Sequence, residues 1–303
     1  MKKLFSILTL AVILTLTGCV HHTPFEEEYF FQAMGKDGEI VITADTTKLK
    51  EKMPGVLATG NGVLDDIIAR SERVSVAFYQ DPPLGEEAYP ADLASLDYYG
   101  GLEGDYGSFT INTALSWSSQ FHGEKEEGIR YYTDEGNTIE LAVPVSGLLL
   151  FASQDYVQAY LDTVSERFTL IGDDTAKLLA DSLFGLYVRS PQTMIDLGLG
   201  LPYSVIAKMS DAIIYVNMTD EGGYGLNADI TMQSEDLATT LLSLLRQNVV
   251  AELRRQGQRP DFAALSRQYY NEGRLVLIRD MSLTEEQVDQ LAGSITDITG
   301  GVI

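Results

Sequence analysis

One recurring unit limits what this chain can fold into: a short β-branched or aliphatic run ends in a Ser, Thr or Asp, and an amphipathic helical pattern follows it. Ile40-Val41-Ile42-Thr43-Ala44 leads to Asp45-Thr46-Thr47 and then to Leu49 and Met53. Leu148-Leu149-Leu150-Phe151-Ala152 leads to Ser153, after which Tyr156, Val157, Tyr160, Leu161 and Val164 repeat at helical spacing. Leu186-Tyr187-Val188-Arg189 runs into Ser190 and Pro191, and proline at a first helical position sacrifices no hydrogen bond. The alternating segment Leu226 to Met232 meets Ser234, which opens the longest helical pattern, Glu235 to Gln256, with a stripe of Leu237, Leu241, Leu244, Leu245 and Val249. Leu275 to Ile278 precedes Thr284, whose spacing to Gln287 fits a capping box, and Val288, Leu291 and Ile295 form the apolar face behind it.

The units fall into two series of the same order. Ile67-Ile68-Ala69-Arg70 before Val74 to Phe78 parallels Val205-Ile206-Ala207-Lys208 before Ala212 to Val216, and Gly147 to Phe151 parallels Gly273 to Leu277. The expected class is therefore α+β, built as two similar tandem halves of βαββ(α)β type, 39–170 and 171–303, each an antiparallel-type sheet with helices on one face. The first half carries a loop-rich insertion, Asp81 to Asp105, and an extra hairpin around Thr133 to Asn137. The halves are expected to pack through their sheets or their helices.

Ahead of this pattern, Lys2 and Lys3 precede an apolar stretch from Leu4 to Leu16, the charged and hydrophobic regions of a secretory signal. About a dozen residues fall short of the roughly 20 that span a bilayer as a helix. Leu16-Thr17-Gly18-Cys19 follows directly and resembles the lipobox of bacterial lipoproteins. That resemblance covers the first nineteen residues. It implies removal of residues 1–18 by cleavage after Gly18, diacylglycerol on the Cys19 sulfur, and a fatty acid such as palmitate on the new amine. One acyl chain holds a protein marginally and two or more hold it stably, so the chain is expected to stay on its membrane. Val20 in place of Asp favours the outer membrane over the inner one in a two-membrane cell. The alternative is an ordinary cleaved signal in which Cys19 is incidental. Cys19 is the only cysteine of the 303 residues, so no intramolecular disulfide competes for it. Residues 19–38, with the acidic run Glu26-Glu27-Glu28, read as a lipidated tether.

Charge narrows the partners. The net charge is −23, and loss of Lys2 and Lys3 with the signal lowers it by two more. Nucleic-acid binding has no electrostatic support. Anionic headgroups repel the molecule as a whole, so membrane contact is expected from the anchor alone. A hydrophobic fraction of 45% with 21% charged residues lies in the globular range, so the mature portion is expected to fold on core burial alone. Arg254, Arg255 and Arg259 form a local positive patch, read here as complementing a helix C-terminus and acidic neighbours, with a partner site as the alternative.

Candidate chemistry is thin. His21 and His22 adjoin in the tether and point apart, and His122 sits in a Gly-flanked charged stretch, Gln120 to Gly128, that reads as an exposed turn. No Gly-x-Ser-x-Gly elbow is present. Asp65-Asp66, expected on a short helix, and Asp173-Asp174, expected in a loop, are sequence neighbours that face apart, and 44 acidic residues make such pairs common by chance. Asp134 to Asn137 and Asp220 to Gly223 lack the ligand spacing of a calcium loop and read as hairpin turns. Zinc has no Cys/His cluster, and Gly198 to Leu201 lacks the residues of a phosphate loop. No metal or cofactor is expected.

One local feature suggests recognition: Asp97-Tyr98-Tyr99-Gly100-Gly101-Leu102-Glu103-Gly104-Asp105-Tyr106-Gly107, joined by Trp117 on a following strand Phe109 to Trp117. Tyr98, Tyr99, Tyr106 and Trp117 on a mobile loop would make an adaptable aromatic surface, whereas in a Gly-rich hairpin the tyrosines would simply cover the sheet. The expected function is a non-catalytic binding or structural module of the cell envelope, held to the membrane through Cys19 and meeting an envelope protein partner. The alternatives are an envelope hydrolase working through acidic residues and a surface ligand binder or adhesin working through the Tyr/Gly loop.

Overall fold

A computed structural model describes residues 40–52, 69–79, 96–126, 129–136, 139–153, 171–189, 203–219, 222–255, 257–284 and 287–288. Gly18, Cys19, the tether, Asp65-Asp66, Ser190-Pro191, Gly198 to Leu201 and the helical pattern from Tyr156 to Val164 lie outside them. The protein is α+β, with a large antiparallel sheet and few helices. Twelve strands are described in chain order: β1 Ile40–Asp45, β2 Ser71–Tyr79, β3 Asp97–Gly104, β4 Phe121–Glu126, β5 Ile129–Asp134, β6 Glu140–Val145, β7 Leu148–Ala152, β8 Phe184–Val188, β9 Met209–Met218, β10 Tyr224–Met232, β11 Tyr269–Glu272 and β12 Leu275–Leu283. The helices are α1 Thr46–Lys52, α2 Ser108–Trp117, α3 Asp173–Asp181, α4 Tyr203–Ile206, α5 Glu235–Arg255 and α6 Phe262–Gln268.

All twelve strands share one sheet, in the order β11-β12-β10-β9-β8-β1-β2-β3-β7-β6-β5-β4. The strands on either side of residue 170 meet edge to edge. Ile40 pairs with Val188 and Ala44 with Phe184, so β1 and β8 make the seam. β1 is buried along its length except at Asp45, and β8 except at Leu186.

Helices cover both faces rather than one, which corrects the sequence expectation. Ile40, Ile42, Val74, Val76, Phe78, Leu149 and Phe151 point to one face, where Leu49 of α1, Leu241 of α5 and Leu265 of α6 cover them. Val41, Ala77, Tyr99, Leu148 and Leu150 point to the other, where Ala176 and Leu179 of α3 lie. The reason is legible in β7: Leu148-Leu149-Leu150-Phe151-Ala152 has no polar alternation, and all five are buried. A strand apolar on both sides needs cover on both.

The capping expectations hold where the residues are described. Asp45 Oδ1 accepts from Lys48 N–H at 2.8 Å at the start of α1, and Ser234 Oγ accepts from Leu237 N–H at 3.3 Å at the start of α5. Thr284 and Gln287 form the reciprocal box: Gln287 N–H donates to Thr284 Oγ1 at 3.2 Å, and Thr284 N–H donates to Gln287 Oε1 at 2.9 Å. The turns Gly147 (φ 90°) and Gly273 (φ 58°) introduce β7 and β12, and Gly222 (φ 81°) lies between β9 and β10. In the stretch from Asp81 to Asp105, the residues from Asp97 to Gly104 are not loop but β3, paired with β2 and β7. Its glycines mislead by composition. A Cβ on Gly100 would come within 2.6 Å of the Ser75 carbonyl oxygen and overlap the Phe151 ring, so the glycine serves close packing and not chain reversal.

Candidate functional site

Helix α2 is the most unusual surface of the described residues. The sequence expectation was a strand from Phe109 to Trp117, because the run is rich in β-branched and aromatic residues. The structure makes it helix, since Ile111 turns toward the core while the polar side chain between its turns finds partners on the sheet. Asn112 Nδ2 donates to the Val143 carbonyl at 3.2 Å, and the buried Tyr132 hydroxyl donates to the Asn112 carbonyl at 2.8 Å. These bonds moor α2 over β5 and β6.

None of the ten residues of α2 carries a charge, and none is fully buried. Phe109 is 80% exposed and Trp117 is 74% exposed. Two turns and about 12 Å of helix axis separate them, on the side facing away from Ile111. Burying an aromatic side chain contributes about 1.5–3 kcal/mol, so Phe109 and Trp117, left in water, forgo a stabilisation that burial against another surface would supply. Exposed aromatic side chains are enriched at protein–protein interfaces relative to the rest of a protein surface.

The four aromatic residues singled out in the sequence do not share this surface. Tyr98 is half-buried on β3, its ring 6.3 Å from those of Phe78 and Phe151. Tyr99, next along the strand, points to the opposite face and is buried in the cluster that also holds Ala176 and Leu179 of α3. Tyr106 is only 1% exposed; its hydroxyl bonds to Ser71 Oγ, and burial pushes it up to about 12. Trp117 alone is on the outside. The tyrosines cover the sheet, and no mobile aromatic loop is formed by the described residues from Asp97 to Gly107. Phe109, the partner of Trp117, was missed because a strand reading puts residues eight apart on one line without saying which way it faces.

Asp173 and Asp174 open α3 in its first turn, where carboxylates favour the positive end of the helix dipole, and are not in a loop. His122 is exposed on the edge strand β4, not in a turn, opposite Thr133. Asp229 pairs with Arg279 across β10 and β12, Oδ1 to Nη1 2.5 Å, and the same Nη1 reaches the Ala228 and Ile278 carbonyls at 3.1 and 2.9 Å. Asp211 accepts from Thr231 Oγ1 at 3.0 Å, and burial pushes its carboxyl up from the ordinary value. With its neighbours thus engaged in structure, this polar stripe presents a held ion pair and one lone carboxylate. Among the described residues no three His, Cys, Asp or Glu side chains converge as metal ligands, and no helix is long and apolar enough to cross a membrane.

No protein-family model matches the chain, and no curated protein matches it in sequence. Its fold resembles solved structures of a protein named TP0453. Crystal form IV superposes with a TM-score of 0.58 at 14% identity, covering 90% of this chain and 97% of that one. Crystal form I gives 0.57 at 13%, covering 91% and 98%, and crystal form III gives 0.56 at 13%, covering 87% and 97%. At this identity the likeness is one of fold, and it extends over nearly the whole of both chains.

Proposed function

We propose that this chain is a lipid-anchored module of the bacterial cell envelope that acts by contact and not by catalysis, with the outer side of α2 as its contact surface. The observation that carries the reading is the exposed Phe109 and Trp117 pair on a helix without charge, in a chain of net charge −23. A charged surface kept clear of partners has no use for such a helix, whereas an interface does. Large aromatic anchors contribute disproportionately to protein–protein affinity, which favours an envelope protein as the partner. The lipobox-like Leu16-Thr17-Gly18-Cys19 supports retention at the membrane through acylated Cys19, with the outer membrane favoured by Val20. Burial of Tyr99 and Tyr106 counts against the adhesin alternative, and neither His122, on an exposed edge strand, nor Asp173 and Asp174, at a helix start, supports the hydrolase alternative.

The test has two parts. Replacing Cys19 with Ser is expected to move the protein from the membrane to the soluble fraction; full retention after processing removes the anchor from the reading. Separately, a photo-crosslinking side chain placed at Ala114, on the exposed side of α2, is expected to trap one protein of the envelope, and the Phe109→Ser/Trp117→Ser double variant is expected to abolish that product. A product that persists in the double variant, or none in the parent, sinks the contact surface.

The finer architecture belongs to the same reading: two tandem halves, 39–170 and 171–303, derived by duplication. In its favour, β1-β2-β3-β7 and β8-β9-β10-β12 run outward from the seam in the same order. A helix follows β3 and another follows β10, and a positive-φ glycine introduces β7 and β12 alike. The strands β4, β5 and β6 are then an addition to the first half, extending one end of the sheet.

A further inference from the structure

Charge on this molecule is distributed unevenly. Residues 246–267 hold five of its 21 basic residues, Arg246, Arg254, Arg255, Arg259 and Arg267, against two acidic ones, Glu252 and Asp261. Neither acid is free to meet a ligand: Glu252 pairs with Arg255, and Asp261 Oδ1 caps α6 by accepting from Ala263 and Ala264 N–H at 2.9 and 3.1 Å. Arg246 turns inward to the Tyr269 carbonyl at 3.1 Å. The remaining arginines are exposed.

The turn that presents them is firmly built. Gln258 N–H donates to the Leu253 carbonyl at 2.8 Å and Gly257 N–H to the Arg254 carbonyl at 3.0 Å, with Gly257 at φ 73°. That is a Schellman closure of α5. Three residues later Asp261 caps α6, so Arg254, Arg255 and Arg259 occupy one rigid corner. Phe262 begins α6 beside them and is 62% exposed. Basic side chains around an exposed aromatic residue suit the boundary between phosphate headgroups and acyl chains.

We infer that this corner is the face the domain turns to its membrane, binding anionic phospholipid headgroups through Arg254 and Arg259, with Arg255 adding charge while paired to Glu252 and with Phe262 at the interface. The inference rests on the lipid-anchored reading. It refines the expectation from net charge, because electrostatic attraction near a surface counts only charges within about 8 Å at physiological salt. At that range the bilayer meets the arginine corner and not the acidic remainder. The twenty residues between Cys19 and β1 reach up to roughly 70 Å when extended, far more than a domain whose radius of gyration is about 18 Å, so the anchor itself leaves the orientation open. The corner sets it.

The test uses the lipidated chain carrying Gln258→Cys. Acylated Cys19 cannot react, so a thiol dye labels the turn alone. The protein is reconstituted on vesicles of phosphatidylcholine, or of phosphatidylcholine with phosphatidylglycerol, each with a quencher in the headgroup region. Quenching is expected on the anionic vesicles and not on the neutral ones, and it should fall as salt is raised. At about fivefold for each arginine near a charged surface, Arg254→Gln/Arg255→Gln/Arg259→Gln should lower the ratio of docked to undocked protein by roughly a hundredfold. Phe262→Ser, which leaves the cap intact, should lower it less. Equal quenching on neutral vesicles, no quenching on anionic ones, or a triple variant that docks like the parent overturns the inference; the last outcome would point instead to another face. Two dyes per chain would show that Cys19 is not acylated, which is failure of the anchor and is read independently of quenching.

Discussion

Asp211 holds its carboxylate where water is scarce, and one hydroxyl is its compensation. Burial, its largest influence, raises the folded pKa above the ordinary 3.8, and the bond from Thr231 opposes this without reversing it. The native state therefore holds this proton more tightly than the unfolded chain, so the residue lowers stability progressively as pH rises from about 3.8 through the folded value. Asp211→Asn keeps an acceptor for Thr231 and removes the charge. Its urea midpoint should exceed that of the parent at pH 7, and the difference should vanish below the unfolded pKa; a variant less stable at neutral pH would show that the ionised form is what the fold requires. Arg279 is the opposite case. Its guanidinium satisfies Asp229 and two backbone carbonyls at once, and both partners are mostly shielded from solvent. Arg279→Met should cost about 1–3 kcal/mol in denaturant unfolding, because it strands a carboxylate. The strand alternation Asn227-Asp229-Thr231 was readable in the sequence as one polar side of β10, but the pairing of Asp229 with Arg279 was not. It depends on an irregular register in which Asp280 adopts φ 49° and donates its N–H to Asn227 Oδ1 at 3.1 Å.

At the scale of elements, the caps and turns were legible and the identity of some elements was not. Ser234, Asp45 and the Thr284/Gln287 pair announce helices because their side chains answer a need that arises within three residues. The sequence reads the helix α2 as a strand and the strand β3 as loop for the converse reason. Phe109-Thr110-Ile111 has strand-like composition, and Tyr98-Tyr99-Gly100-Gly101 has loop-like composition, but packing decides both. Ile111 and Asn112 find partners only as neighbours on a helix over the sheet, and Gly100 makes room for Phe151 between two strands. The candidate contact surface shares that fate: Trp117 is recognisable as an oddity, and Phe109 comes within about 12 Å of it along the axis only when the segment is helical and not extended. Gly100→Ala tests this account of β3. Its Cβ meets backbone on β2 as well as the Phe151 ring, so side-chain repacking cannot relieve it, and a loss of about 1–3 kcal/mol is expected by urea unfolding. A neutral result would mean that the strand is loosely held and that the glycine is there for a turn after all.

For the whole molecule, the seam between β1 and β8 decides whether the strands on its two sides behave as one body. Five residue pairs join them, and the contact is reinforced from outside the sheet: Arg73 of β2 donates to Thr43 Oγ1 at 3.1 Å and to the Ala180 carbonyl at the end of α3 at 2.5 Å, while Lys48 of α1 reaches the Asp181 carbonyl at 3.1 Å. Two cations, Arg73 from β2 and Lys48 from α1, thus sit at the C-terminus of the helix that leads into β8, where the helix dipole is negative. Leu179 of that helix covers Gly185, whose added Cβ would lie 2.7 Å from Leu179 Cδ2 and 3.1 Å from Thr43 Cγ2. Gly185→Val therefore strikes the seam from β8, wedging α3 away from the sheet and pressing on β1. If the sheet is one cooperative unit, native-state hydrogen exchange should show protection falling by the same factor in β2 and β3 as in β9 and β10, although none of these strands carries the substitution. If protection falls only in β8 to β12, the two sides of the seam are separate foldons that share an edge, and a partner pulling on α2 at one end of the sheet could not influence the arginine corner at the other. Equal loss would allow that influence, because any event that opens one side of the seam would then draw on the stability of both.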